Sequence, residues 1–188
     1  MNKTLRWLCF AASLFLMVSC KQHYTPKPYA YFRIDLPNKV YKHFTDSTRY
    51  SFDVPTYAFV ISDSINNNWS NVEFPLNRAT VYITYKALNN DFSRCMEESR
   101  EFVYKHTVKA DAIKENYYFD DDKNVYGILY DIKGNAASPI QFFITDSTRH
   151  FLRGSLYFSC SPNKDSLAPV VDFLREDIVR LIESMEWY

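Results

Sequence analysis

Cysteine is the residue type whose placement in this chain points most directly to chemistry. Four occur, Cys9, Cys20, Cys95 and Cys160. Cys20 closes an apolar run, Leu14-Phe15-Leu16-Met17-Val18-Ser19-Cys20, and polar residues follow at once. Lys3 and Arg6 stand ahead of the run and make a positively charged opening. From Trp7 to Val18 the apolar stretch is about 12 residues. That is the length of a signal-peptide core and well short of the roughly 20 that cross a bilayer.

The last four of these residues, Met17-Val18-Ser19-Cys20, resemble the bacterial lipoprotein cleavage box. Small Ser19 fits it; Met17 departs from it, since Leu is usual there. The resemblance implies that residues 1–19 are a lipoprotein signal peptide. The chain is then cut before Cys20, the thiol carries diacylglycerol and the new α-amine is acylated. One acyl chain holds a protein only marginally, at about 0.8 kcal/mol per buried CH₂, whereas three on one residue hold it permanently. A plain secretory signal with a chance cysteine and an uncleaved signal anchor are the competing readings. Cys9 leaves with the signal. Cys95 and Cys160 remain, and an exported pair can oxidise. Either a disulfide joins them or both are inert buried thiols.

Other chemistry is sought with less result. With 3 Gly in the chain, a glycine-rich phosphate loop cannot be built. His23, His43, His106 and His150 are scattered, with no metal-binding spacing, and read as surface or turn residues. No Gly-x-Ser-x-Gly elbow occurs. The run from Asp120 to Asp131 spaces oxygens much as a calcium loop does. Val125, however, stands where that loop needs Gly, and Val125–Ile132 alternates as a strand, so a solvated hairpin turn is expected. Asp-Ser-X triplets place Ser47, Ser64, Ser147 and Ser166 in a pattern that resembles the O-glycosylation sequon of exported Bacteroidota proteins. Ordinary turn and cap chemistry accounts for the same triplets, and Ser166 is the weakest candidate because a cap role competes. No catalytic set, metal site or cofactor is expected, and the chain reads as a non-enzyme.

The elements that would carry these residues follow from periodicity. Residues 20–30 read as a lipidated tether stiffened by Pro26 and Pro28. Residues 31–188 read as one domain. Tyr31–Pro37 is a short strand or extended arm. Val40–Phe44 and Arg49–Val54 read as paired strands around a Thr-Asp-Ser-Thr turn. Tyr57–Ile61 is a further strand, and Asn71–Pro75 reads as irregular. Ala79–Lys86 alternates cleanly. Asn90 or Asp91 caps a helix whose inward stripe is Phe92, Cys95, Met96, Ser99, Phe102 and Val103. Tyr117–Phe119 (weakly), Val125–Ile132, Ile140–Ile144 and Phe151–Cys160 are strands. Thr-Asp-Ser-Thr-Arg occurs at 45–49 and again at 145–149, which reads as two similar hairpin turns. Leu152, Leu156, Phe158 and Cys160 share a face, so Cys160, like Cys95, points with an apolar set, and a helix-to-sheet bridge between the two is conceivable. Asp165 or Ser166 caps a final helix with Pro169 in its first turn.

The result is an α+β domain: an antiparallel sheet of about six strands with an internal and a C-terminal helix packed on it. The element order looks like the Mog1 and PsbP sandwich, a fold-level analogy. The composition agrees. Aromatics are 18% of the chain, with 15 Tyr and 15 Phe, which argues for an ordered, sheet-rich domain. Net charge is zero over the whole chain, so nothing points to nucleic acid.

Several stretches resemble the gliding-motility lipoprotein GldD family of Bacteroidota: Tyr24–Pro28 with Tyr31–Pro37, Ala79–Lys86, Phe143–Phe158 and the closing helix. The likeness covers nearly all of the chain after Cys20. It implies a membrane-attached accessory factor for surface gliding, linked to assembly or operation of the type IX secretion and gliding apparatus, with other proteins of that apparatus as partners. It carries over no catalytic residue. In Bacteroidota lipoproteins an acidic cluster after the lipidated cysteine resembles a surface-export signal; none follows Cys20, which favours a lipid-anchored domain facing the periplasm. The runner-up reading is a periplasmic lipoprotein module that binds a small ligand, suggested by the PsbP-like outline. A deep pocket would favour that; an exposed aromatic patch would favour the accessory factor.

Overall fold

The structure is a computed structural model in which residues 34–46, 48–63, 68–105 and 109–188 are described. Cys20, Ser47, Ser64, the residues 20–30 read as a tether, and residues 31–33 of the arm lie outside them. The fold is α+β, as the periodicity implied, but its strands divide between two sheets. Strands β1 (Tyr41–Asp46), β2 (Tyr50–Pro55) and β10 (Glu186–Trp187) make a small sheet ordered β1-β2-β10. The large sheet holds seven strands in the order β3-β4-β5-β9-β8-β7-β6. Its members are β3 (Phe59–Ser62), β4 (Trp69–Phe74), β5 (Ala79–Ala87), β6 (Ala110–Asp120), β7 (Val125–Gly134), β8 (Ile140–Thr145) and β9 (His150–Phe158). Every pairing in both sheets is antiparallel. Helix α1 (Phe92–Tyr104) follows β5, and helix α2 (Lys164–Glu183) follows β9.

The two faces of the large sheet have different fates. Val81, Ile83, Tyr85, Leu129, Ile140, Phe142, Ile144, Leu152 and Leu156 point to one side. There they meet Tyr50, Phe52 and Val54 of β2 and Leu174, Ile178, Leu181 and Ile182 of α2 in the main core. The small sheet and α2 together cover that inner face. The outer face is covered in part: Cys95 and Val103 of α1 pack on Tyr130, Ile132, Phe143 and Phe151. At Gly154 the inner face requires a missing side chain. A Cβ there would sit 2.2 Å from the Phe142 ring, so the ring lies directly on the β9 backbone.

Three elements differ from the sequence expectation. Asn71–Pro75 is not irregular: Trp69–Phe74 is β4, with Ser70, Val72 and Phe74 buried in strict alternation, and Pro75 opens a 3-10 turn. Tyr117–Phe119 is the tip of an 11-residue strand rather than a weak fragment. Helix α2 begins earlier than expected. Its cap is Asn163, whose side chain accepts from the Ser166 amide, so Pro169 lies inside the helix and gives the Asp165 carbonyl no amide. Of the Tyr31–Pro37 segment, the described residues 34–37 form no strand, which leaves the extended-arm reading. The two Thr-Asp-Ser-Thr-Arg segments do form two hairpin turns, joining β1 to β2 and β8 to β9. In the second, Asp146 accepts from the amides of Thr148, Arg149 and His150.

Candidate interaction surface

The site is built by what α1 leaves uncovered. Alternation on β3, β4, β5 and β9 places Phe59, Ile61, Trp69, Tyr82 and Tyr157 on the outer face, and all five are exposed. Register brings them together: Ile61 lies opposite Asn71, Asn71 opposite Tyr82, and Thr80 opposite Tyr157. The Tyr82 and Tyr157 rings meet edge-on at 5.7 Å. On the other side of α1, Tyr117 and Phe119 stack at 6.3 Å and are 58% and 74% exposed. Both OH groups of Tyr104 and Tyr117 donate to Glu115, at 2.9 and 2.7 Å. These donors outweigh burial and hold the Glu115 carboxyl below the usual carboxylate range. Large aromatic side chains on a solvated sheet face carry more apolar area than solubility needs, which is the mark of a contact surface.

Two buried polar centres stabilise the scaffold behind this face, and neither was expected from the sequence. Asp177 of α2 is 2% exposed and accepts from Lys39 at 2.8 Å, Tyr41 at 2.9 Å and Tyr57 at 2.6 Å. Lys39 also donates to the Phe173 carbonyl and lies 3.9 Å from the Phe173 ring centre. Burial, and then the bonded carboxylate, push the Tyr41 and Tyr57 phenols far above the usual range. The helical stripe Leu174, Ile178, Leu181 predicts an apolar neighbour at 177, so nothing in the spacing signals a carboxylate there.

His150 is the second centre. It was expected as a surface or turn residue; it begins β9 and is 6% exposed. Its Nδ1 lies 2.9 Å from the Tyr85 OH, and its ring stacks on Trp187 at 5.1 Å. Its Nε2 is buried and has no hydrogen-bond partner among the described residues. Burial pushes the imidazole pKa down, opposed by Asp146 and aided by Arg149. Tyr50, the residue after the first Thr-Asp-Ser-Thr-Arg turn, packs on the same Tyr85 and Trp187 rings as His150, the residue after the second. The repeated pentapeptide thus marks two hairpins that converge on one aromatic cluster.

Neither reading of the cysteine pair holds in full: no bridge joins them, and Cys160 is exposed rather than buried. Both are free thiols. Cys95 lies in the outer-face cluster under α1, within 3.1 Å of the Lys86 ammonium. Cys160 falls beyond the end of β9 and is exposed. Phe158, its predecessor by two, packs on the inner-face core. Cys160 lines a cleft of about 400 Å³ with Ile132, Phe158, Leu167 and Val171, beside the start of α2. Lys164 and Asp111, also in its wall, pair at 2.7 Å. Ser147 is exposed at the second hairpin tip with φ 66°, its amide held by Thr145 Oγ1. Among the described residues, no group of three His, Cys, Asp or Glu is placed to hold a metal. Asp131, the last position of the calcium-like run, instead pairs with Arg175 at 2.8 Å. Among the same residues no helix is long and apolar enough to cross a membrane.

The geometry therefore defines a class: a rigid α+β module with an aromatic outer face. The family model of the gliding motility lipoprotein GldD matches residues 21–187, and the chain belongs to that family. Membership implies a role in gliding motility for a lipid-anchored protein of the cell envelope. No curated protein shows significant similarity to the chain.

Proposed function

We propose that this chain is a non-catalytic accessory or assembly factor for gliding and for the associated type IX secretion apparatus. It is held to a membrane by lipid on Cys20, with its domain facing the periplasm. The observation that carries the reading is the row of exposed aromatic and apolar residues, Phe59, Ile61, Trp69, Tyr82 and Tyr157, on a sheet face that α1 leaves open. Aromatic residues of this kind dominate the energetics of protein contacts. The cleft beside Cys160 favours the second reading, a small-ligand-binding module, because about 400 Å³ is within the range of ligand sites.

The test is complementation of a gene deletion, scored for both spreading and secretion. Cys20→Ser is expected to leave the precursor unprocessed and without lipid, and to fail in both assays. Tyr82→Glu combined with Trp69→Glu is expected to fold, stay membrane-bound and fail as well. Full complementation by the Glu double variant, with loss on filling the cleft by Ala168→Trp, would reverse the order of the two readings. Normal spreading and secretion in the deletion strain itself would remove the first.

A further inference from the structure

Strand β6 ends the large sheet. It is 11 residues long, pairs with β7 along one side, and no described strand pairs its other side. An open edge of this length presents a row of backbone donors and acceptors ready to bind another strand. Charged side chains commonly guard such edges. Here they are Asp111, Lys114, Glu115 and Asp120. They guard against most partners, but in one register they are complementary to themselves.

We propose that the free edge of β6 pairs antiparallel with β6 of a second copy, about a two-fold axis through Tyr117. The pleat restricts the choice of axis. Residues opposite one another across a ladder must point to the same face, so the axis passes through a residue and not between two. Centred on Lys114 or Glu115, the register sets like charges face to face. Centred on Tyr118, it puts Glu115 opposite Asp121 of the turn. Centred on Asn116, it matches no charges. Centred on Tyr117, it sets Lys114 opposite Asp120 of the second copy, twice by symmetry. Lys114 is exposed, and Asp120, whose Oδ1 accepts from the Lys123 amide, stays half-exposed. The same register brings Tyr117 against Tyr117 on the outer face. The exposed Phe119 then lies diagonal to that pair, within reach of an aromatic ring. The two large sheets become one continuous sheet, and the most exposed stacked aromatic pair among the described residues is covered.

A cysteine on the axis reads this register directly. Residues opposite in an antiparallel pair have Cα atoms about 4.5–5.5 Å apart, inside disulfide range. The test uses full-length protein in native membranes, in a Cys160→Ser background, under mild oxidation on non-reducing gels. The background alone supplies the baseline, so the result does not depend on how Cys20 is modified. Tyr117→Cys is expected to give a species of twice the monomer mass. Adding Lys114→Asp is expected to lower its yield about tenfold. Adding Asp120→Lys to that is expected to restore it, which a loss of folding could not do. Thr84→Cys, on the outer face of a central strand, is expected to stay monomeric. Absence of the species with Tyr117→Cys, a crosslink to a protein of different mass, equal yield with Thr84→Cys, or no recovery on charge exchange would each overturn the pairing.

Discussion

Asp177 shows how one side chain can organise the start of the domain. Its carboxylate gathers Lys39, Tyr41 and Tyr57, from the chain before β1, from β1 itself and from the turn after β2. Removing it leaves a partly buried ammonium and two phenols without their acceptor. Breaking such a pair from one side costs more than the pair is worth intact. Asp177→Ala is expected to lower stability by about 3 kcal/mol, read as a fall in urea midpoint at unchanged slope. His150 sets a pH dependence. Burial lowers its folded pKa, so the unfolded chain takes up a proton first, near pH 6.5. Its contribution is complete above about pH 6.5 and is lost as pH falls from there through the lower folded pKa. Asp53 and Asp146 also have lowered pKa values, but those carboxylates act below about pH 4. Equilibrium unfolding of the parent is expected to weaken between about pH 6.5 and 5, and His150→Phe to flatten that slope.

Among the elements, β9 is the most constrained. Phe142 of β8 rests on Gly154, and the opposite face of β9 carries Phe151, stacked on Phe143 at 5.3 Å. Gly154→Ala is expected to cost about 2–3 kcal/mol through displacement of the ring. Adding Phe142→Leu is expected to recover part of that loss, a coupling that a double-mutant cycle in denaturant measures. Element existence was legible in the sequence where alternation was long and clean, as in Ala79–Ala87 and Val125–Gly134. It was illegible at Trp69–Phe74, where the apolar Trp69 points outward, the polar Ser70 points inward and Pro75 follows at once. It was also obscured at Ala110–Asp120, whose edge position leaves both faces partly wet and so erases the alternation that burial of one face writes. The two-residue β10 has no periodic signal at all; pairing with Ser51 and Tyr50 makes it a strand.

At the scale of the whole molecule, the large sheet separates two environments. One face is closed by the small sheet and α2, and the other is half closed by α1. Cys95 is buried in the cluster between α1 and the outer face, while Cys160 is exposed beyond the end of β9. The same arrangement decides which aromatics are core and which are surface. Tyr85 and Tyr82 stand three residues apart in the same strand, yet one is 7% exposed and the other 51%. Composition alone places both in a sheet-rich domain and distinguishes neither.

By itself, the sequence determined the features that depend on near neighbours: the α+β class, the clean strands, the two hairpin turns and the family. Each is written in charge, spacing or turn chemistry within a few residues. Only the tertiary structure decided that Asp177 and His150 are buried, that the two thiols are apart, that the strands form two sheets and that β6 has an open edge. Those properties depend on what packs across from a residue, and the partners lie as many as 138 positions away, as Lys39 and Asp177 do.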